Sequence, residues 1–208
     1  GKRADGYHLM DMLLQSISVY DRVKVKIKNS PGIDLGGTPF LARMGSKNIA
    51  YKAAESFYSH INTTPACIIE INKSIPVCAG MGGGSSDCAA VLLALNRLYQ
   101  TNLPHEELAA LALSLGADVP FMLTGGLARA QGIGEDLTFI DLPWEYHCVG
   151  VMPRFGVSTK EVFSRFDINN MGPRPDNSTA IAALKTHDLL SLKGCMKNVL
   201  QPVTQKLY

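Results

Sequence analysis

Between Asp21 and Lys28 apolar and charged residues alternate, Val23, Val25 and Ile27 against Lys24, Lys26 and Lys28. That period of two predicts a strand with one face in water, and the lysines read most simply as the solvated face. Upstream, Leu9 to Tyr20 is apolar and β-capable, after an Asp5-Gly6 turn. From Asn48 to Phe57 the period changes: Ile49, Ala50, Ala53, Ala54 and Phe57 fall at helical spacing. The β-branched run Cys67–Ile71 predicts a strand. The Ala/Leu-rich segment that ends near Tyr99 is apolar nearly all round and predicts a buried helix. Pro104, with Glu106 and Glu107 in the first turn, opens a helix with Leu108, Leu111, Ala112 and Leu115 as its inner stripe, and Gly116 ends it.

The second half is patterned in shorter pieces. Short strands are expected at Leu127–Gln131 and Leu137–Ile140, with Gly132-Ile133-Gly134-Glu135 as the turn between them, and another at Cys148–Met152. Pro31–Pro39 and Pro173–Asp176 read as loops. Asn177, Ser178 or Thr179 can cap a helix reaching about Leu190. Leu192, Met196, Val199, Leu200, Val203 and Leu207 make an amphipathic end. Helices and hairpin-like strand pairs in mixed order predict an α+β fold.

Composition narrows the class. The 208 residues, 46% hydrophobic and 18% charged, suit an ordinary globular protein, and a net charge of +2 gives no reason to invoke nucleic acid or membrane. The apolar run Cys88–Leu95 is too short to cross a bilayer, which needs about 20 residues. Five cysteines (Cys67, Cys78, Cys88, Cys148, Cys195) form no C-x-x-C pair or zinc spacing and suit a reducing compartment, so the cytoplasm is expected. The chain starts at Gly1 and stops at Tyr208 inside the amphipathic end, so we expect it to be part of a longer one.

Chemistry concentrates in Pro76-Val-Cys-Ala-Gly80-Met-Gly-Gly-Gly-Ser-Ser-Asp87. Glycines before a helix let the backbone take φ > 0 and approach an anion, and the helix's unpaired N–H groups then face it. Ser85 or Ser86 is expected as the helix cap. The plain alternative is a glycine-rich turn before a buried helix. No lysine follows the glycines as a Walker loop requires. The dinucleotide fingerprint fits poorly too: Ser85 replaces its third small residue, and its acid is missing from Asn102 to His105. Asp118, in Gly116-Ala-Asp-Val-Pro-Phe121, is a carboxylate among apolar neighbours, either functional or a turn residue.

The glycine stretch resembles the ATP motif of the galactokinase, homoserine kinase, mevalonate kinase and phosphomevalonate kinase (GHMP) superfamily. Gly116–Phe121, Arg3-Ala-Asp-Gly-Tyr-His-Leu9 and Val157–Phe163 are similar, in the same order, to the 4-diphosphocytidyl-2-C-methyl-D-erythritol kinase family. The resemblance implies a ribosomal protein S5 domain 2-like ATP-binding half, residues 1–152, and a truncated ferredoxin-like half, residues 153–208. It implies phosphoryl transfer from ATP, with Mg2+, to a hydroxyl of a cytidine diphosphate small molecule on the methylerythritol phosphate route to isoprenoid precursors. Asp118 would be catalytic. Pro76, Ala79, Gly80, Met81, Gly82, Gly83, Gly84, Ser85 and Ser86 would hold ATP, Ser86 also touching the metal. Tyr7, His8, Phe163 and Thr159 would hold the cytidyl group, since an aromatic face stacks on a nucleobase. The family's N-terminal lysine strand and C-terminal glycine motif are not among the 208 residues. Phe163 can equally be core, and Lys73, just before the loop, can meet the nucleotide or, more commonly, be an exposed lysine. Asp87 can merely favour the helix N-terminus, and Glu135 matches the family without a mechanism. The rivals are a mevalonate- or homoserine-type kinase and a non-catalytic nucleotide-binding module.

Overall fold

The alternating Val/Lys segment forms a strand because β-branched residues pack well on a pleated, half-buried surface. In a computed structural model that describes residues 3, 8–153, 155–170 and 172–208, this strand, β2 (Arg22–Ile27), pairs antiparallel with β4 (Ala66–Asn72). Lys24 and Lys26 face solvent as expected, whereas Lys28 is half-buried and pairs with Asp34 at 2.7 Å. On the other edge β3 (Gly32–Gly37) runs parallel to β4. Residues 31–39 are therefore not a loop throughout: Ile33 and Leu35 alternate against the core, a pattern hidden by flanking glycines and prolines. A short α1 (Pro39–Ala42) and α2 (Ile49–His60) make the crossover that a parallel pair needs.

The chain packs as two compact units. The larger comprises residues 16–77 and 81–125. In it Cys67, Ile69 and Ile71 of β4 are fully buried beneath α2 and α3 (Gly83–Leu98), which contribute Ala50, Ala53, Ala54, Phe57, Val91, Leu92 and Leu95. Then follow α4 (His105–Leu115), ended by Gly116 as expected, and α5 (Val119–Thr124). Tyr58 and Tyr99 share a hydroxyl–hydroxyl hydrogen bond of 3.1 Å. Ser16 and Gly125, the first and last residues of the unit, lie side by side: a Cβ on Gly125 would stand 2.9 Å from the Ser16 hydroxyl.

The other unit comprises residues 1–15, 78–80 and 126–208. Packing thus divides the chain at other points than the expected 152/153 line, because β1 (Met10–Gln15) pairs with β5 (Leu127–Gly132), which pairs with β6 (Asp136–Phe139). Asp11 accepts a two-pronged hydrogen bond from Arg129 at 2.8 and 2.7 Å, which holds its carboxyl below the usual range. The Asn177 side chain also donates to Asp11, at 2.8 Å to its carbonyl and 2.9 Å to its carboxylate. Asn177 opens α7 (Asn177–Lys185), and the cap is Asp176, which accepts from the Thr179 N–H. The helix stops at Lys185 rather than near Leu190, since His187 takes φ 58° and Asp188 caps a separate α8 (Leu189–Cys195). Helices α6 (Thr159–Ser164) and α9 (Gln201–Leu207) and two 3-10 turns, Gly45–Lys47 and Ile168–Asn170, complete the elements among the described residues. Cys148–Met152 forms no strand: nothing pairs with it there, and Val149 and Val151 are 92% and 91% exposed. Trp144 donates to the Leu184 carbonyl at 2.9 Å and stacks on His187.

Candidate active site

The start of α3 is capped by a different residue from the ones expected. Gly82 is its N-cap, in the left-handed region at φ 66°, and Ser85 and Ser86 lie inside the first turn instead of capping it. Ser86 donates its N–H to the Gly82 carbonyl at 2.8 Å. The N–H groups of Gly83, Gly84 and Ser85 therefore end the helix without a side-chain cap among the described residues. A Cβ on Gly82 would overlap the Met122 methyl, and one on Gly83 would stand 2.9 Å from Ile75 Cγ2 and 3.1 Å from Lys73 Nζ. Gly84 meets only ordinary contact, 3.7 Å from Ile49, and Gly83 and Gly84 are helical rather than left-handed. Pro76 and Ala79 are half-buried and Met81 is exposed. Pro76 and Met81–Ser86 belong to the larger unit, Ala79 and Gly80 to the other.

Asp118 stands at the N-cap of α5 with its side chain capping nothing. It is not buried among the apolar residues that flank it in sequence: Val119, Pro120 and Phe121 turn inward and the carboxylate stays accessible. Protein crowded behind it still desolvates the group and raises its pKa. One turn on, Met122 packs against Gly82. A short helix thus fixes Asp118 and the α3 terminus in the same unit.

Beneath the glycines lies a cluster only partly legible in the sequence. Lys73 is not an exposed lysine. Its ammonium donates to Asp21 and, at 2.8 Å, to Asp87, and the three side chains are 9%, 2% and 4% exposed. Asp21 also accepts the backbone N–H groups of Ser74 (2.6 Å) and Ile75 (2.9 Å). Burial pulls the Asp21 pKa upward, but hydrogen bonds from Lys73, Ile75 and Ser74 outweigh it and hold it low. Asp87 accepts only Lys73, and its Oδ1 is buried with no partner among the described residues. Burial wins there, helped by the nearby Asp21 charge, and pushes the carboxyl up.

The cytidyl candidates lie in the smaller-core unit. Tyr7 and the Asp5-Gly6 turn lie outside the described residues. The His8 ring packs on Phe163 (centroids 5.6 Å apart, planes tilted 31°) and against the edge of Phe166 at 5.5 Å, and its Nδ1 is buried with no partner among the described residues. Phe166 is an addition to the expected set, although it follows Phe163 at helical spacing. Thr159 is exposed as the first residue of α6, whose cap is Ser158. Glu135 serves the structure, since it accepts the Ile133 N–H at 2.5 Å and pairs with Arg3 at 3.9 Å, closing the β5–β6 turn.

Residues 48–126 match the model of the GHMP kinases N terminal domain. Over 205 residues the chain is 43% identical to the 4-diphosphocytidyl-2-C-methyl-D-erythritol kinase of Clostridioides difficile, covering 98% of this chain and 69% of that protein. The chain belongs to the 4-diphosphocytidyl-2-C-methyl-D-erythritol kinase family. It is likewise 41% identical to the enzyme of that name from Clostridium novyi, over 99% of this chain and 73% of that one. A crystal structure of 4-(cytidine 5'-diphospho)-2C-methyl-D-erythritol kinase superposes with a TM-score of 0.76 at 33% identity, over all of this chain and 72% of that one. Homoserine kinase from Cytophaga hutchinsonii shares the fold at 18% identity, with a TM-score of 0.65 over 90% of this chain and 66% of that one. The α+β, GHMP-type fold and the kinase class both follow. Among the described residues no helix is long and apolar enough to cross a membrane, and no three His, Cys, Asp or Glu side chains converge as metal ligands.

Proposed function

We propose that the protein transfers the ATP γ-phosphoryl group to a hydroxyl of 4-diphosphocytidyl-2-C-methyl-D-erythritol, in the cytoplasm, on the methylerythritol phosphate route to isoprenoid precursors. The observations that carry this reading are an α3 N-terminus without a side-chain cap and, one helical turn before the Met122 that neighbours Gly82, an exposed Asp118 whose side chain has no hydrogen-bond partner among the described residues. The N–H groups of Gly83, Gly84 and Ser85 bind phosphate oxygens. Pro76, Ala79, Gly80, Met81 and Ser86 complete the ATP-binding stretch. Asp118 orients the acceptor hydroxyl and takes its proton as the oxygen–phosphorus bond forms and the bond to ADP breaks, with no phosphoenzyme. Its raised pKa suits proton uptake better than that of an ordinary carboxylate. Tyr7, His8, Phe163 and Thr159 hold the cytidyl group, the aromatic rings by stacking on the base.

Mg2+ takes hard oxygen ligands, largely from phosphates and water, and needs no cage of several carboxylates. The Ser86 hydroxyl, in the first turn of α3, fits as a protein ligand, while Asp87 is engaged by Lys73. When bound, the ion neutralises phosphate charge. Five unpaired cysteines suit the reducing compartment.

The test is ADP release by the full-length protein with magnesium-ATP and the cytidyl substrate, beside mevalonate and homoserine, for parent and Asp118→Ala. Turnover on the cytidyl substrate only, falling by about 10²–10⁴ in the variant, is expected. Nucleotide binding without turnover on any of the three would leave a binding module and end the kinase reading.

A further inference from the structure

Glycine-rich backbone is costly to order, and a loop that orders only on binding spends affinity in doing so. The segment leading into this loop is nonetheless fixed at three successive N–H groups and at the Lys73 ammonium. The Lys73 N–H donates to Thr38 Oγ1 at 3.1 Å, the next two N–H groups go to Asp21, and the Lys73 ammonium joins Asp21 to Asp87, one turn into α3. That ammonium lies directly under Gly83, the first helical residue, where a Cβ would meet it at 3.1 Å. We propose that Asp21 and Lys73 are positioning residues for the nucleotide, tying the chain that enters the glycine loop to the helix that leaves it so that the phosphate-binding N–H groups are preassembled. This deepens the kinase reading and rests on it.

The partners are unequal. Among the described residues Asp21 makes one ionic and two backbone hydrogen bonds, whereas Asp87 makes one bond and its Oδ1 has no partner. Asp21 is therefore the anchor. Lys73 acts through the loop rather than on the phosphates, because two carboxylates already occupy its ammonium. A direct phosphate contact makes the opposite forecast. Freeing Lys73 by Asp21→Asn would then tighten nucleotide binding, whereas loss of positioning weakens it.

The experiment measures ADP affinity by titration calorimetry, together with kcat and both KM values, on the full-length protein. Asp21→Asn is expected to weaken ADP binding and raise the KM for ATP about tenfold, with kcat within about threefold and the KM of the cytidyl substrate unmoved. Lys73→Met should do the same, and Lys73→Arg should restore part of the loss. Asp11→Asn, which loosens the Arg129 network of the other unit, is the control: it should lower the melting temperature without touching ADP affinity. A folded Asp21→Asn protein that binds ADP as tightly as the parent, or more tightly, overturns the proposal. So does a common fall in kcat and in both substrate affinities. If the single variants do not fold, the Asp21→Asn, Lys73→Met, Asp87→Asn triple removes the buried charges, and parental ADP affinity in it is equally fatal. A parent that binds ADP but turns over no substrate ends the kinase reading and leaves the affinity comparison intact. A parent that binds no ADP ends both.

Discussion

The two units are built from the same kinds of element but filled differently. In the unit of residues 16–77 and 81–125 the core is bulky: Phe57, Tyr58, Ile69, Ile71, Leu92 and Leu95 are all fully buried. In the other, the buried set is mostly small (Ala128, Ala130, Ala180, Ala183), and much of the definition comes from polar ties such as Asp11–Arg129–Asn177 and Trp144–Leu184. The first unit carries the candidate phosphate site and Asp118, which must be held rigidly. The second carries the His8–Phe163 cluster, the proposed cytidyl site, built from aromatic faces rather than deep packing. Where the core is thick, geometry is imposed by exclusion of alternatives; where it is thin, single hydrogen bonds carry the shape.

Truncating each core tests that contrast most severely. Phe57→Ala should cost about 3–5 kcal/mol, and Leu184→Ala, in the thinner core, nearer about 2 kcal/mol. Trp144 is the only tryptophan and lies in the second unit, so its fluorescence follows that unit alone, while far-ultraviolet dichroism follows both. Phe57→Ala should shift the dichroism transition more than the Trp144 transition. Coincident shifts would mean that the units unfold as one and would dissolve the comparison.

Next in size, Phe163→Ala should raise the KM of the cytidyl substrate by the equivalent of about 1–3 kcal/mol, that of a lost base–aromatic stack, and leave the KM for ATP near the parent's. An equal rise in both would deny the units their separate roles. In the glycine loop, Ala at Gly82 meets both a left-handed φ and the Met122 methyl, and should cost about 1–2 kcal/mol of stability together with ADP affinity. Gly84→Ala, with ordinary contacts only, should be neutral or slightly stabilising, as Ala is favoured within helices. Chemical denaturation and calorimetry on the pair isolate the steric contribution.

The smallest effect is in pH, with opposite signs for the two units. Burial pushes Asp87 up to about 6 and raises Asp118, so the folded larger unit binds extra protons below that point. Its stability should therefore increase as pH falls from 7 towards 5, until protonation of Asp21, whose pKa is lowered, reverses the trend below about 4. In the other unit Arg129 holds Asp11 low, and the Thr179 and Ser191 bonds do the same for Asp176 and Asp188. That stability is present above about pH 4 and is lost on further acidification, leaving the Trp144 transition flat between pH 7 and 5. A Trp144 melting point that rises across that range would contradict the assignment.

The same contrast explains what could be read from the sequence. Periodicity locates β2, α2, β4, α3 and α4 because their apolar faces meet a deep core. It misses β3, where only Ile33 and Leu35 show the alternation between glycines, and it proposes a strand at Cys148–Met152 from β-branched content without a neighbour to pair with. Asp118 and the glycine stretch are legible because each is contiguous. Asp21 is not: its partners Lys73, Ser74 and Ile75 lie more than fifty positions away, and nothing periodic marks an isolated acid at the head of a strand. The expected serine caps do not form because a left-handed glycine takes the cap position and leaves the serines inside the turn.

The meeting of Ser16 with Gly125 has a consequence for how the chain assembles. β1 and β5, whose terminal residues Gln15 and Leu127 are paired, lie more than a hundred residues apart, a long loop to close by chance. Nearly all of that loop is the larger unit, whose own ends are adjacent once it folds. Its collapse shortens the effective loop to a few residues and hands β5 to β1 already close. Because synthesis runs from the N-terminus, the larger unit emerges and can fold before β6 and the later helices leave the ribosome. The site-bearing core thus becomes the clasp that lets the rest of the molecule close.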